Sequence, residues 1–168
     1  AFYKAAWNAA WKDAAFFELA RMAARQGDTA EALALCSKVL LHNHIQHKAR
    51  HLKVALLRRS GQTTEAWAES EQALQLDPME YGALWERWLL KAERTFFDVL
   101  QTSPHIFIEL ALDYAHAGFS EEACQLLEEP PQTEPMLKYF KGWIQLQSGD
   151  PTGAQESFEV AQRMSPNY

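Results

Sequence analysis

The segment RQGDTAEALALCSKVL, Arg25–Leu40, aligns without gaps with RSGQTTEAWAESEQAL, Arg59–Leu74. The two glycines of this alignment, Gly27 and Gly61, are 34 residues apart, and each is followed five residues later by an alanine. A fixed period of this length indicates a protein built from stacked structural repeats.

Two later segments carry the same spacing of glycine and alanine, HAGFSEEACQLL around Gly118 and QSGDPTGAQESF around Gly149. Glycine adopts positive φ without steric cost, so each of the four glycines is expected to end one helix in a tight turn. Polar residues just after the glycines are expected to cap the next helix through side-chain oxygens. These residues are Asp28, Thr63, Ser120 and Asp150.

The residues on both sides of these turns have helical periodicity. Before Gly118, apolar side chains recur at i, i+3, i+4 and i+7, in Phe107, Leu110, Ala111 and Tyr114. No segment shows the alternation of a half-buried strand. The sequence therefore predicts an all-α chain of helix–turn–helix hairpins.

A helical hairpin with this period resembles the tetratricopeptide repeat, with glycine at the turn, alanine early in the second helix and proline after it. LDP at Leu76–Pro78 and MSP at Met164–Pro166 match the proline position. The resemblance implies a right-handed superhelix, or solenoid, of antiparallel hairpins. It also implies a non-catalytic module for protein–protein interaction.

The spacing of the glycines predicts how the repeats are arranged along the chain. Residues 13–168 are expected to form about five hairpins, the third of which, at about 80–102, is degenerate because it lacks a glycine turn. Residues 1–12 are expected to form a leading amphipathic helix that contacts a missing upstream domain. The chain is interpreted as part of a longer protein.

Four basic residues occupy first-helix positions at which the family prefers apolar side chains, namely Arg50, Lys53, Lys138 and Lys141. We expect the two helices concerned to be slightly rotated, so that other side chains are buried in their place. These are Leu52, Leu56, Phe140 and Ile144.

A second resemblance concerns the parent protein. FYKAAWNAAW, HNHIQHKARHLK and FIELALDYAHAGFSEEA are similar to the C-terminal repeat region of certain large bacterial proteins with an uncharacterised, carbohydrate-related N-terminal domain. This resemblance implies an alternative function, an accessory or domain-docking module of a larger carbohydrate-active enzyme.

In the repeat family the first helices line a concave face, which is where a peptide or a domain would bind. The candidate ligand-binding residues are Phe17, Arg21, Arg25, Lys48, His51, Arg58, Arg59, Trp85, Leu89, Ile108, Leu112, Tyr139 and Trp143. The basic N-terminal half predicts an acidic protein or peptide partner. The alternative is that Arg58 and Arg59 are solvated charges at a helix end.

The composition argues against other kinds of partner. The formal net charge is −6, whereas nucleic acids and anionic membranes favour basic surfaces. The apolar runs are too short to span a bilayer. Cys36 and Cys124 lack metal-ligand spacing and are expected to be buried thiols, which favours a reducing, cytoplasmic location.

No catalytic motif or cofactor site is predicted. His47 and His51 lie at i, i+4, a spacing that could hold a metal, but polar residues at a solvated junction are the simpler interpretation. The aromatic cluster around Trp85 is interpreted as irregular core, with an exposed platform for a partner or sugar as the alternative.

Overall fold

The computed structural model describes residues 11–91 and 103–166. These residues form nine α-helices and no strand. The helices are α1 (Lys12–Arg25), α2 (Thr29–His42), α3 (His47–Arg59), α4 (Thr63–Leu76), α5 (Tyr81–Lys91), α6 (Pro104–His116), α7 (Ser120–Leu126), α8 (Pro135–Gln147) and α9 (Pro151–Met164). The all-α prediction is confirmed.

The chain divides into two compact units, Ala1–Val99 and Leu100–Tyr168. In the first unit α1 pairs with α2 and α3 pairs with α4, while α5 packs on both helices of the α3–α4 hairpin. In the second unit α6 pairs with α7 and α8 pairs with α9, and α8 packs on both α6 and α7. We call α1, α3, α5, α6 and α8 first helices, and the partner that follows each of them a second helix.

Glycine ends the first helix of each hairpin, as predicted. The φ angles of Gly27, Gly61, Gly118 and Gly149 are 77°, 78°, 86° and 86°. At the first of these turns the amide of Gly27 donates to the carbonyl of Ala24, and that of Asp28 donates to the carbonyl of Ala23. This is the Schellman pattern, and all four turns share it.

The alanine five residues after each glycine lies where the two helices of a hairpin approach most closely. Ala32, Ala66 and Ala123 are 0% exposed and Ala154 is 1% exposed. A larger side chain here would push the helices apart, because helix axes separate according to the side chains at their contact.

Half of the predicted capping residues are correct. Asp28 accepts a hydrogen bond from the amide of Glu31, and Asp150 accepts one from the amide of Gly153. Thr63 and Ser120 are already the first residues of their helices, so that prediction was wrong by one position. Gln62 and Phe119 precede them and make no side-chain capping bond.

The predicted domain boundaries fall partly outside the described residues. The leading segment 1–12 is outside them except for Trp11 and Lys12, and Lys12 already begins α1. The degenerate third hairpin at about 80–102 is described only over its first helix, Tyr81–Lys91. Its second half, and with it that part of the prediction, lies outside the described residues.

One basic residue of α3 is buried, contrary to the prediction. Leu52, Leu56 and Ile144 are buried as expected, and Phe140 is half-buried. However, Arg50 is not turned outward, since it is only 7% exposed. It can be buried because α4 supplies a carboxylate partner.

That partner is Glu69, which is 9% exposed. The Arg50 guanidinium donates to its carboxylate at 2.5 Å, and the Lys53 ammonium donates to the other carboxylate oxygen at 2.6 Å. Arg50 also donates to the backbone carbonyl of His44 at 2.8 Å. A three-residue ionic cluster therefore holds α3 against α4.

The turn glycine gives a first test. Replacing Gly61 by Ala should lower the free energy of unfolding by about 1 kcal/mol, because a Cβ is strained at positive φ. Replacing it by Asn should cost less, because Asn tolerates this conformation better. The exposed Thr64→Ala in α4 serves as control, and urea denaturation is the measurement. Equal stability of the Gly61→Ala and Thr64→Ala proteins would contradict the assignment.

The ionic cluster gives a second test. Glu69→Met should cost about 3 kcal/mol of stability, because it leaves the Arg50 guanidinium buried without its carboxylate. The double variant Arg50→Met/Glu69→Met should recover most of that loss. Lys53→Met, which leaves the buried pair intact, should cost less than about 1 kcal/mol. If the double variant is no more stable than Glu69→Met in urea denaturation, the pair does not act as described.

Candidate functional site

The first helices of each unit lie side by side. In the first unit α1 contacts α3 and α3 contacts α5, whereas the second helices α2 and α4 share at most marginal contact. In the second unit α6 contacts α8 in the same way. In repeat arrays the face lined by the first helices is the expected binding side, and we call this face the inner side of each unit.

Four of the predicted ligand-binding residues are interior side chains. Phe17 is 8% exposed, His51 4%, Trp85 1% and Ile108 5%. They occupy corresponding positions early in four first helices, and at these positions the side chains are buried instead of being presented at the surface.

His51 shows how the covering arises. A Cβ built on Gly82 of α5 would lie 2.6 Å from Cγ of the His51 ring, so α5 crosses His51 at a point where only glycine fits. Trp85 is enclosed next to Trp88, with ring centroids 4.7 Å apart. Trp85 is buried and Trp88 is half-buried, so this pair fits the interpretation as core. Phe96 and Phe97, which belong to the same predicted cluster, lie outside the described residues.

Arg58 is a structural residue that links two first helices. Its Nε donates to Oε2 of Glu86 at 2.6 Å, and Glu86 is 0% exposed. The Nε2 atom of His51 lies 3.9 Å from the other oxygen of the same carboxylate. Arg58 is therefore neither a solvated helix-end charge nor a surface offered to a ligand.

Arg21 is also engaged locally. Its guanidinium donates to Glu18 at 2.8 Å and lies over the ring of Phe17, 5.6 Å from the centroid. The basic residues of the prediction that remain exposed in the first unit are Arg25, Lys48 and Arg59, while Leu89 is half-buried.

In the second unit the predicted residues have different environments. Leu112 and Trp143 are half-buried, and the Trp143 ring meets the His116 ring edge-on at 6.5 Å between centroids. Tyr139 is 48% exposed and lines a groove of about 550 Å³ formed by α8 and α9.

Several residues that shape these surfaces were missed from the sequence, notably Glu69, Glu86, Leu146 and Phe158. The partners of the two glutamates are 16 to 28 residues away along the chain, too far for helical spacing to reveal. Leu146 and Phe158 could have been found from the sequence. When positions are counted from the turn glycines, these two residues correspond to residues that are buried in the other hairpins.

The histidines do not come together as a metal site. His47 is exposed whereas His51 is buried beneath Gly82. Within residues 11–91 and 103–166, no group of three or more His, Cys, Asp or Glu side chains could hold a metal ion.

The two cysteines are free thiols in different surroundings. Cys36 is fully buried, and this burial raises the pKa of its thiol to about 12. Cys124 is only half-buried, which corrects the expectation for that residue, although burial raises the pKa of its thiol as well. Neither thiol is activated as a nucleophile, since the thiolate is the reactive form.

None of the helices in the described part of the chain is both long and apolar enough to cross a membrane.

Comparison with known proteins agrees with this architecture. Residues 14–37 match the sequence model of a tetratricopeptide repeat, which spans most of the α1–α2 hairpin. A tetratricopeptide repeat protein from Parabacteroides merdae is similar in structure, with a TM-score of 0.54 and 16% identity over 99% of this chain and 70% of that chain. MamA from Desulfovibrio magneticus RS-1 is similar with a TM-score of 0.50 and 14% identity, over 92% of this chain and 95% of that chain.

The comparison with curated proteins gives no significant match. At these identities the structural likeness establishes the fold alone, and it agrees with the glycine turns and buried alanines of all four hairpins. The chain therefore has the tetratricopeptide-repeat fold.

Proposed function

We propose that this chain is a non-catalytic protein-interaction module that binds an acidic peptide or domain surface along the inner side of its first unit. The observation that carries the proposal is the position of Arg25 and Arg59. They are exposed, they lie at the same place in successive repeats, and they end the neighbouring first helices α1 and α3.

The geometry of adjacent helices suits an elongated partner. Packed helices lie about 8–10 Å apart, so two arginines at the equivalent ends of neighbouring first helices suit a ligand that extends across both helices. Lys48 adds a third exposed cation at the opposite end of α3. Exposed cations on a chain with net charge −6 favour acidic ligands by local complementarity, which affects association rate and partner choice most.

Two other basic residues of the first unit bind carboxylates of the chain itself. Arg58 binds the buried Glu86, and Arg21 binds Glu18, so each has a structural role. Arg25 and Arg59 are assigned to the ligand because of their exposure and their equivalent positions. The alternative for Arg25 and Arg59 is a favourable interaction of their charges with the C-termini of α1 and α3, without any ligand.

The non-catalytic part of the proposal rests on the ionisable groups of the first unit. Glu69 and Glu86 are each held by basic side chains in the interior, and the thiol of Cys36 is sealed from solvent. These groups stabilise the packing of helices and do not line an open cleft, where a catalytic pair would be expected.

The alternative function, an accessory module of a carbohydrate-active enzyme, remains a prediction from resemblance. The burial of Trp85 removes the central ring of the aromatic platform that would favour direct sugar binding. Isothermal titration with glycans tests that alternative separately.

Charge reversal tests the proposed surface. Arg25→Glu/Arg59→Glu should weaken binding to the acidic members of a peptide array by roughly five- to tenfold, the effect of removing two exposed charge contacts. Lys38→Glu/Arg163→Glu changes the net charge equally at two other exposed sites and should bind nearly as well as the original chain. Circular dichroism verifies that both proteins fold.

Two results would contradict the proposed binding surface. If both double variants lose the same affinity, binding follows net charge and no specific surface is involved. If neither loses affinity, Arg25 and Arg59 do not contact the ligand.

A further inference from the structure

The antiparallel packing of α1 and α2 brings the first residue of α1 beside the last residue of α2. The Nζ atom of Lys12 lies 3.0 Å from Nε2 of His42. The other ring nitrogen of His42, Nδ1, lies 2.8 Å from the backbone carbonyl oxygen of Lys38, one helical turn earlier. Amine, imidazole and carbonyl therefore form a continuous chain of hydrogen bonds at this end of the hairpin.

The carbonyl of Lys38 determines which nitrogen of His42 carries the proton. A carbonyl oxygen only accepts hydrogen bonds, so Nδ1 is the nitrogen that donates. In a neutral imidazole the other nitrogen, Nε2, then has a lone pair, which accepts from the Lys12 ammonium. An imidazolium would instead turn an N–H toward that ammonium. His42 is therefore held in the tautomer in which Nε2 acts as a base toward Lys12.

This arrangement has the three parts of an activated nucleophile. A nucleophile lies within hydrogen-bond reach of a base, and a third group orients the base. Lys12 supplies the amine, the imidazole of His42 is the base, and the carbonyl of Lys38 is the orienting group. The base is needed because an ammonium nitrogen has no lone pair with which to form a bond. These contacts distinguish Lys12 from a lysine that is merely exposed.

The surroundings of Lys12 suit a small anionic reagent. His42 and Lys38 are exposed and Lys12 is half-buried, so the amine can be reached from solvent. The ammonium groups of Lys12 and Lys38 lie 6.0 and 5.8 Å from the centroid of the Phe16 ring, so two cations share one aromatic side chain. Positive charge at this point raises the local concentration of anions.

We propose that Lys12 is a modification site, where an acyl phosphate acylates the ε-amine with His42 as the general base. Lys12 begins α1 and Arg25 ends it, so this site is separate from the proposed binding surface and is tested independently of it. The chain is the substrate here and each molecule reacts once, which agrees with a non-catalytic module. The product is a neutral amide at the start of α1, where the helix dipole disfavours a cation.

The atoms of the reaction balance without a further reagent. Nε2 of His42 takes a proton from the Lys12 ammonium, and the amine lone pair attacks the carbonyl carbon of the acyl phosphate. A C–N bond forms, and the C–O bond to phosphorus-bound oxygen breaks with its electron pair on the phosphate. The second amine proton goes to the departing phosphate, and His42 returns its proton to water.

Acetyl phosphate is the probe, and the full chain is the substrate. Tandem mass spectrometry of proteolytic peptides follows the acetylated fraction of each lysine over time. Lys91 is the reference within the same molecule, because it is exposed and its ammonium also lies over a ring, 3.9 Å from the centroid of Trp67. Lys12 should react about tenfold faster than Lys91, less than the roughly 100-fold that a positioned base contributes inside an active site, because this pair faces water.

Removing the imidazole tests the base directly. His42→Gln, at an exposed position, should slow acetylation of Lys12 about tenfold and leave Lys91 unchanged. His44→Gln is the matched control, since it makes the same change at an exposed residue two positions further on, and it should leave both rates unchanged. Circular dichroism verifies that both variants fold.

The preference for an anionic donor has its own test. Lys38→Gln keeps the backbone carbonyl and removes one cation beside Lys12. It should slow acetylation of Lys12 by acetyl phosphate roughly two- to threefold, the effect of one charge at this distance in water. The rate with the uncharged donor p-nitrophenyl acetate should stay the same.

Three results would overturn the proposal. If Lys12 and Lys91 are acetylated at the same rate, the contact with His42 does not activate the amine. If His42→Gln and His44→Gln give the same rate at Lys12, exposure alone explains its reactivity. If Lys38→Gln affects the two donors equally, the site has no preference for an acyl phosphate.

Discussion

The structure depends on a close helix–helix contact that follows a turn at positive φ. Glycine at the turn reverses the chain within a few residues, and the alanine five residues later lets the returning helix lie against the first. Two backbone hydrogen bonds close each turn. Without this hairpin, the first helices of each unit would not lie side by side.

Successive first helices contact each other through different interactions in the two units. In the first unit α5 fits α3 through Gly82, which admits the ring of His51, and through Glu86, which binds Arg58 in the interior. In the second unit apolar burial dominates and the charges of Glu128, Lys138 and Lys141 stay near the surface. A buried ion pair adds little net stability but strongly penalises a mismatched neighbour, so the first unit is selective about which helix packs there.

The sequence predicts the hairpins well because the information is local. Glycine spacing, helical periodicity and alanine placement identified all four turns correctly. It predicts the burial of first-helix side chains less well, because burial also depends on the neighbouring helix. His51 occupies a position that looks exposed from one repeat alone, and the crossing of α5 at Gly82 covers it. The pairing of Arg50 with Glu69, across 19 residues, is likewise set by how the hairpin closes.

Hydrogen exchange of individual amides tests whether the glycine turns are closed by backbone hydrogen bonds. The amides of Asp28, Gln62, Phe119 and Asp150 lie in turns but donate to carbonyls of the preceding helices, those of Ala23, Leu57, Tyr114 and Gln145. All four amides are expected to exchange slowly, as helical amides do, and to lose protection together with their hairpins. Exchange of these amides at the rate of an unstructured chain, while the flanking helices stay protected, would contradict the closed turns.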